Sequence, residues 1–188
     1  MQKAKNIVII SPFFFPEPIS TGKFNTDVAL KLQEEGHQVT VLCSHPFYPD
    51  WKTRYSSEKL EGITIIRGGN KIKYPNKISL RRIVLEIWYA LFILKNIKKH
   101  QNKIDVIIPV FPPSLAFYTA SFFIKKEIKK IGIIHDLQII YSSQKKGLFN
   151  KLITFFIKRV EKSCFKTCDT LIFLSEEMKN AALDIYKI

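Results

Sequence analysis

The feature that most constrains this chain is the order of elements in residues 6–43. An apolar run, Asn6-Ile-Val-Ile-Ile-Ser11, leads into an aromatic loop bounded by prolines, Pro12-Phe-Phe-Phe-Pro-Glu-Pro18. The small-residue turn Ser20-Thr21-Gly22-Lys23 then opens a helix that carries Val28, Ala29, Leu30 and Leu32 and stops at Glu35-Gly36-His37. A second apolar run, Gln38-Val-Thr-Val-Leu-Cys43, follows at once. This is a βαβ unit whose first loop lies at the carboxyl end of its first strand, the end at which open parallel sheets bind ligands.

The rest of the chain keeps the alternation. Further strands are read at Ile63–Arg67, Asp105–Pro109, Ile131–Asp136 and Asp169–Leu174. Helices are expected over Ser79–His100, from Pro113 towards the basic run Lys125–Lys130, over Leu148–Thr167, and after Ser175 as N-cap. A long loop spans Ser44–Leu60, and another holds Tyr141–Gly147. In the helix after Ser79, the apolar positions Leu80, Ile83, Val84, Ile87, Trp88, Leu91 and Leu94 recur at helical spacing and read as a core-facing stripe. The strands are continuous Ile and Val runs, as expected where both faces are covered, so the class is α/β with a doubly wound parallel sheet in one domain, residues 1–188.

What the first loop lacks is informative. A dinucleotide-binding unit needs Gly-x-Gly-x-x-Gly and an acidic residue after the second strand, but Gly22 stands alone and the strand ends in Cys43-Ser44-His45. A P-loop needs Gly-Lys-Ser/Thr, and Gly22-Lys23 is followed by Phe24.

Thirty Lys and Arg against sixteen Asp and Glu give a net charge of +14. That excess suits a polyanionic partner; drift in a Lys-, Ile- and Asn-rich composition explains it equally well. No helix-turn-helix, RNA-binding sheet motif or zinc finger accompanies the charge, so nucleic acid is not the expected partner. Cys43, Cys164 and Cys168 read as reduced thiols, without the His or second Cys pair of a zinc site. Residues 106–124 carry no charge, but Pro109, Pro112 and Pro113 break them into a strand, a turn and a helix too short to span a bilayer.

Pro16-Glu17-Pro18, Thr21-Gly22-Lys23-Phe24, Glu35-Gly36-His37-Gln38-Val39 and Pro46-Phe47-Tyr48-Pro49-Asp50-Trp51 occur in that order. In these motifs the chain resembles the amino-terminal half of a GT-B retaining glycosyltransferase of family four. The likeness is strongest to bacterial exopolysaccharide enzymes related to the colanic-acid fucosyltransferase. Tyr48-Pro49-x-Trp51 is its most specific part, and the likeness covers nearly the whole chain. It implies a Rossmann-like acceptor-side domain that would pair with a carboxyl-terminal nucleotide-sugar domain absent from this sequence, leaving this chain alone inactive. No metal or other cofactor is implied, and no Asp-x-Asp motif appears.

The resemblance also suggests roles. Thr21, Gly22 and Lys23 would face the donor diphosphate, for which the N–H groups of a helix start are suited; the alternative is an ordinary strand-to-helix turn. His135 would orient the donor sugar, with Asp136 holding His135 or the final loop; alternatively His135 is structural. Tyr48, Pro49 and Trp51 would take the acceptor, or Trp51 and Phe47 pack their loop onto the domain. Phe111 and Ser114 are expected at the cleft edge. Arg81, Arg82, Lys125, Lys126, Lys129 and Lys130 form basic clusters that would face an anionic membrane, as would a further set including Lys145, Lys146, Lys158 and Arg159; solvated helix faces are the alternative. Lipid-linked saccharide acceptors place such an enzyme in the cytoplasm, at the inner face of the plasma membrane. A non-catalytic membrane- or partner-binding module derived from such an enzyme is the competing reading.

Overall fold

Ile and Val lose little side-chain freedom in extended backbone and fill a pleated surface, so the β-branched runs of the chain form the strands. In a computed structural model, which describes residues 3–142 and 148–188, the strands are β1 (Asn6–Ile10), β2 (Gln38–Ser44), β3 (Ile63–Gly68), β4 (Val106–Phe111), β5 (Lys129–Ile134) and β6 (Thr170–Phe173). They form a six-stranded sheet in the order β3-β2-β1-β4-β5-β6. All neighbours are parallel. The helices are α1 (Ser20–Glu34), α2 (Ile78–His100), α3 (Ser114–Ser121), α4 (Gln138–Ser142), α5 (Leu148–Thr167) and α6 (Glu176–Tyr186). The doubly wound sheet expected from the alternation is the fold that forms.

Strand side chains alternate between two cores. Ile7, Ile9, Val39, Val41, Val106 and Ile108 point to the face covered by α1 through Ala29 and its neighbours. Val8, Ile10, Leu42, Ile107 and Ile134 point to the other face, where α2, α3, α5 and α6 contribute Tyr89, Ile93, Phe117, Phe165 and Tyr186. Ser175 caps α6 as expected, its Oγ accepting from Met178 N at 3.2 Å, and Glu176 and Glu177 fill the first turn.

Three expectations are corrected. β4 runs through Pro109 to Phe111. The register with β5 pairs Val106, Ile107, Val110 and Phe111 and leaves a gap at Ile108 and Pro109, since proline has no N–H to give the ladder. α3 stops at Ser121, well before the basic run. Ile124 and Ile128, four apart and helix-like in sequence, are buried from a turn closed by Ile128 N on Lys125 O at 3.2 Å, and Lys129 and Lys130 begin β5. The stripe that α2 turns to the core is Leu85, Tyr89, Ile93 and Ile97, whereas Leu80, Ile83, Ile87 and Leu91 are exposed. The helix is apolar on both sides, so periodicity alone could not say which side is buried. Among the described residues, no helix is long and apolar enough to cross a membrane.

Candidate functional site

Parallel strands bring every strand-to-helix loop to one edge of the sheet. The order reverses between β1 and β4, so the chains leaving those strands part and open a crevice at the switch point. The loop after β1 forms one side, and the loops after β4 and β5 form the other.

Thr21, Gly22 and Lys23 lie in the first turn of α1. Ile19, in extended backbone, occupies the cap position without any side-chain cap, and the first intrahelical bond is Lys23 N to Ile19 O at 3.1 Å. The N–H groups of residues 20–22 therefore have no intrahelical acceptor, and no acidic residue sits in this turn. Such a helix end favours an anion. Gly22 is fixed by a close approach: a Cβ there would lie 3.0 Å from the Glu17 carbonyl oxygen. Thr26 steadies the turn by donating to Gly22 O at 2.8 Å and accepting from Phe15 N at 3.2 Å.

His135 follows β5 directly, and its N–H donates to Phe111 O at 2.9 Å. The ring of Phe24, on α1, stands edge-on to the His135 ring with centroids 5.0 Å apart. This contact brings the helix start and the histidine together across the crevice. Burial lowers the His135 pKa, so the ring is neutral at neutral pH. Its Nε2 is buried and has no hydrogen-bond partner among the described residues. Asp136 does not bond to His135; its Oδ1 accepts from Leu137 N at 2.8 Å, at the start of α4.

Sequence reasoning gave Glu17 no role beyond its place in a motif. It is 3% exposed, and its carboxylate accepts from Phe47 N at 3.1 and 3.2 Å and from Tyr48 N. It thus ties the loop after β1 to the loop after β2. Burial raises its pKa, while the two N–H groups, Arg54 and Arg67 pull the other way. Arg67 braces the same junction by donating to Phe15 O at 2.7 Å. An acid between two prolines, followed by an aromatic loop, was the available signal. His45 was missed as well: it is buried, accepts from Ser56 N at 3.1 Å through Nδ1, and stacks on Tyr55.

The acceptor candidates divide. Pro49 is exposed and Tyr48 half-buried at the rim. Trp51 packs inward against Phe47 and Tyr74, both at 5.1 Å, beneath the Arg81 guanidinium at 4.5 Å, with its backbone left-handed at φ 58°. Phe111 does not line the cleft. It is fully buried between Phe117 and Phe165, because continuation of β4 past Pro109 carries it into the core. Ser114 is also buried, 1% exposed, with Oγ unpartnered among the described residues. The start of α3 is already occupied by a carboxylate: Glu86 accepts from Leu115 N at 2.9 Å and from Gln138 Nε2 at 2.8 Å.

The basic clusters divide too. Arg82, Lys125, Lys126 and Lys129 are exposed. Arg81 is engaged with Trp51. Lys130 is 7% exposed and turns inward to donate to Ile128 O at 2.8 Å, so it faces no membrane. Lys145 and Lys146 lie outside the described residues. The three cysteines are free thiols, and burial pushes Cys43 and Cys168 up to about 12. Among the described residues, no cluster of metal-ligating side chains occurs. Two concavities of about 510 Å³ lie away from the switch point, one at the amino ends of the strands beside Gln33, His37 and Asn96, the other against β3 beside His45, Tyr55 and Arg67.

Comparison with known proteins follows the same line. The model of glycosyltransferase family 4 matches residues 21–188. The chain superposes on sucrose-phosphate synthase from Thermosynechococcus elongatus with a TM-score of 0.65 and 14% identity, covering 98% of this chain and 46% of that one. A second structure of that synthase gives a TM-score of 0.58 at 14% identity, over 95% of this chain and 81% of the other. At this identity the likeness shows the fold, the amino-terminal half of a GT-B enzyme. This chain spans less than half the length of the first of these. No curated protein matches the sequence.

Proposed function

The chain belongs to glycosyltransferase family 4, and from that premise we propose that it is the acceptor-side domain of an enzyme transferring a sugar from a nucleotide-sugar donor to a lipid-linked saccharide in cell-surface polysaccharide synthesis. The observation that carries this reading is the uncapped, acid-free start of α1 held against His135 by Phe24. Each part has a task in glycosyl transfer. The free N–H groups of residues 20–22 and the Lys23 charge stabilise the negative charge that grows on the departing diphosphate. His135, kept neutral by burial, offers a hydrogen bond to a sugar hydroxyl without adding a charge beside the reacting carbon. Glu17 and Arg67 fix the loop that carries Tyr48 and Pro49, which present an aromatic and apolar surface to the acceptor saccharide.

In this reading the crevice is one wall of a cleft whose other wall a nucleotide-sugar-binding domain supplies, so this chain alone does not turn over. The motif Tyr48-Pro49-x-Trp51 supports the narrower placement among exopolysaccharide enzymes related to the colanic-acid fucosyltransferase. The work takes place at the cytoplasmic face of the membrane, where lipid-linked acceptors are held. A non-catalytic membrane- or partner-binding module is the second reading, favoured by the exposed apolar side of α2.

The test is transfer of labelled sugar from a panel of nucleotide sugars to lipid-linked and short-chain saccharides by the native polypeptide that carries this chain. His135→Ala lowers kcat about a hundredfold with an unchanged melting temperature. Transfer by neither protein, with any donor, contradicts the enzymatic reading and leaves the module.

A further inference from the structure

α2 buries Leu85, Tyr89, Ile93 and Ile97, yet Ile83, Ile87 and Leu91 on its outward side remain 46, 52 and 64% exposed. α5 repeats the pattern: Val160, Cys164 and Phe165 are buried, while Leu152, Phe155 and Phe156 are 62, 66 and 58% exposed. α3 packs against both helices and adds Phe122, 70% exposed, at its end. These are large aliphatic and aromatic side chains gathered on the outer layer of one face of the sheet. Scattered apolar surface residues need no explanation, but a run at i, i+4 and i+8, with a second such helix on the other side of α3, does.

The charges on these helices are sorted as well. The only carboxylates of α2 and α5 are Glu86 and Glu161. Both turn inward: Glu86 to Leu115 N and Gln138, Glu161 to Gln138 N and Tyr186. Among the described residues the exposed charges are all positive: Arg82, Lys95, Lys98 and Lys99 on α2, and Lys151, Lys158, Arg159 and Lys166 on α5. A solvated helix face would mix signs to pair them. An outward face of apolar side chains and cations without acids has the composition of a helix lying in an anionic lipid interface. It starts beside the rim, since Arg81 in the first turns of α2 stacks over Trp51 of the loop after β2.

We propose that the outward faces of α2 and α5 seat on an anionic bilayer. Ile83, Ile87, Leu91, Leu152, Phe155 and Phe156 enter the boundary between headgroups and acyl chains, and the flanking lysines and arginines pair with headgroup phosphates. The inference rests on the lipid-linked acceptor of the proposed function and names the surface that reaches it. A second copy of the chain is a poor occupant, because it would bring the same cations and another net charge of +14 against them.

The test is co-sedimentation of the chain with phosphatidylcholine vesicles, with and without phosphatidylglycerol. The wild type partitions onto the phosphatidylglycerol vesicles and not onto phosphatidylcholine alone. Ile87→Ser with Leu91→Ser, and separately Phe155→Ser with Phe156→Ser, weaken partitioning at least about tenfold. Lys95→Glu with Lys158→Glu weakens it by about fivefold or more for each site. All these side chains are exposed, so melting temperatures stay at the wild-type value. Absence of wild-type partitioning overturns the proposal. So do serine variants that bind like the wild type, and so does a concentration-dependent dimer lost in those variants while vesicles are ignored. Sugar transfer to a short-chain, water-soluble acceptor does not need this face. Its failure therefore speaks against the glycosyltransferase reading, whereas failure of vesicle binding with transfer intact speaks against the docking surface alone.

Discussion

Glu17, in the amino-terminal half of the rim, and Glu161, in the carboxyl-terminal half, are both buried carboxylates that accept backbone N–H bonds, but the charges around them differ in sign. Glu17 takes the N–H groups of Phe47 and Tyr48 and has Arg54 and Arg67 near it. Glu161 takes Gln138 N at 3.0 Å and the Tyr186 hydroxyl, and the neighbouring charge that acts on it is another carboxylate, Glu86. Burial pushes Glu161 up to about 7, against a pull from its hydrogen bonds. The difference teaches that the two halves of the rim are held in different ways. The loops that flank the helix start are clamped by an acid with cations beside it, while α6 is joined to α5 through an acid that titrates near neutrality.

The comparison breaks most severely at Glu17. Glu17→Ala leaves the buried Phe47 N–H and its neighbour without an acceptor, and urea unfolding should show a loss of about 2–4 kcal/mol. Glu17→Gln, which keeps one acceptor oxygen, should lose less.

Next comes the pH response of the other half. Because the folded Glu161 has a raised pKa, the native state holds a proton that the unfolded chain has released. Stability from this group is full below about 4.5 and is lost as pH rises to about 7. The loss across that window is up to about 3 kcal/mol, with Glu86 acting in the same direction. Melting temperatures measured across the window should fall as pH rises, and Glu161→Gln should flatten the curve. A curve of unchanged slope in that variant would remove Glu161 as its source.

Tyr186→Phe sharpens the contrast. It deletes a donor to the carboxylate, so it should cost about 1–2 kcal/mol at neutral pH, where the carboxylate is partly ionised, and less in acid. The smallest effect is at Arg81. Arg81→Met removes a cation over the Trp51 ring but also a buried, unpartnered Nε, and denaturation should register under about 1 kcal/mol.

The sequence disclosed the fold wherever local pattern and tertiary demand agreed. Strand runs such as Ile7–Ile10 and the Ser175 cap needed only their neighbours to be recognised. It misled where two readings of one pattern compete. Ile124 and Ile128 have helical spacing but are buried from a turn, and α2 offered two apolar sides of which the core takes one. Pro109 looked like a strand end, but the ladder tolerates a gap, and Phe111 thereby moved from the cleft to the core. The placement of Thr21–Lys23 at a helix start and of His135 just after a strand was legible from local pattern. Phe24, which joins them, and Glu17, which clamps the loops, were not, since their partners lie across the fold and only the folded chain brings them together.

The most direct test of the proposed transfer site is an amide chemical-shift titration of this chain with nucleoside diphosphate sugars. The expected result is perturbation centred on Gly22, Lys23, Phe24 and His135, diminished by Phe24→Ala. Perturbations absent from these residues, or gathered instead around His45, Tyr55 and Arg67, would contradict the assignment of the α1 start as the diphosphate-facing wall.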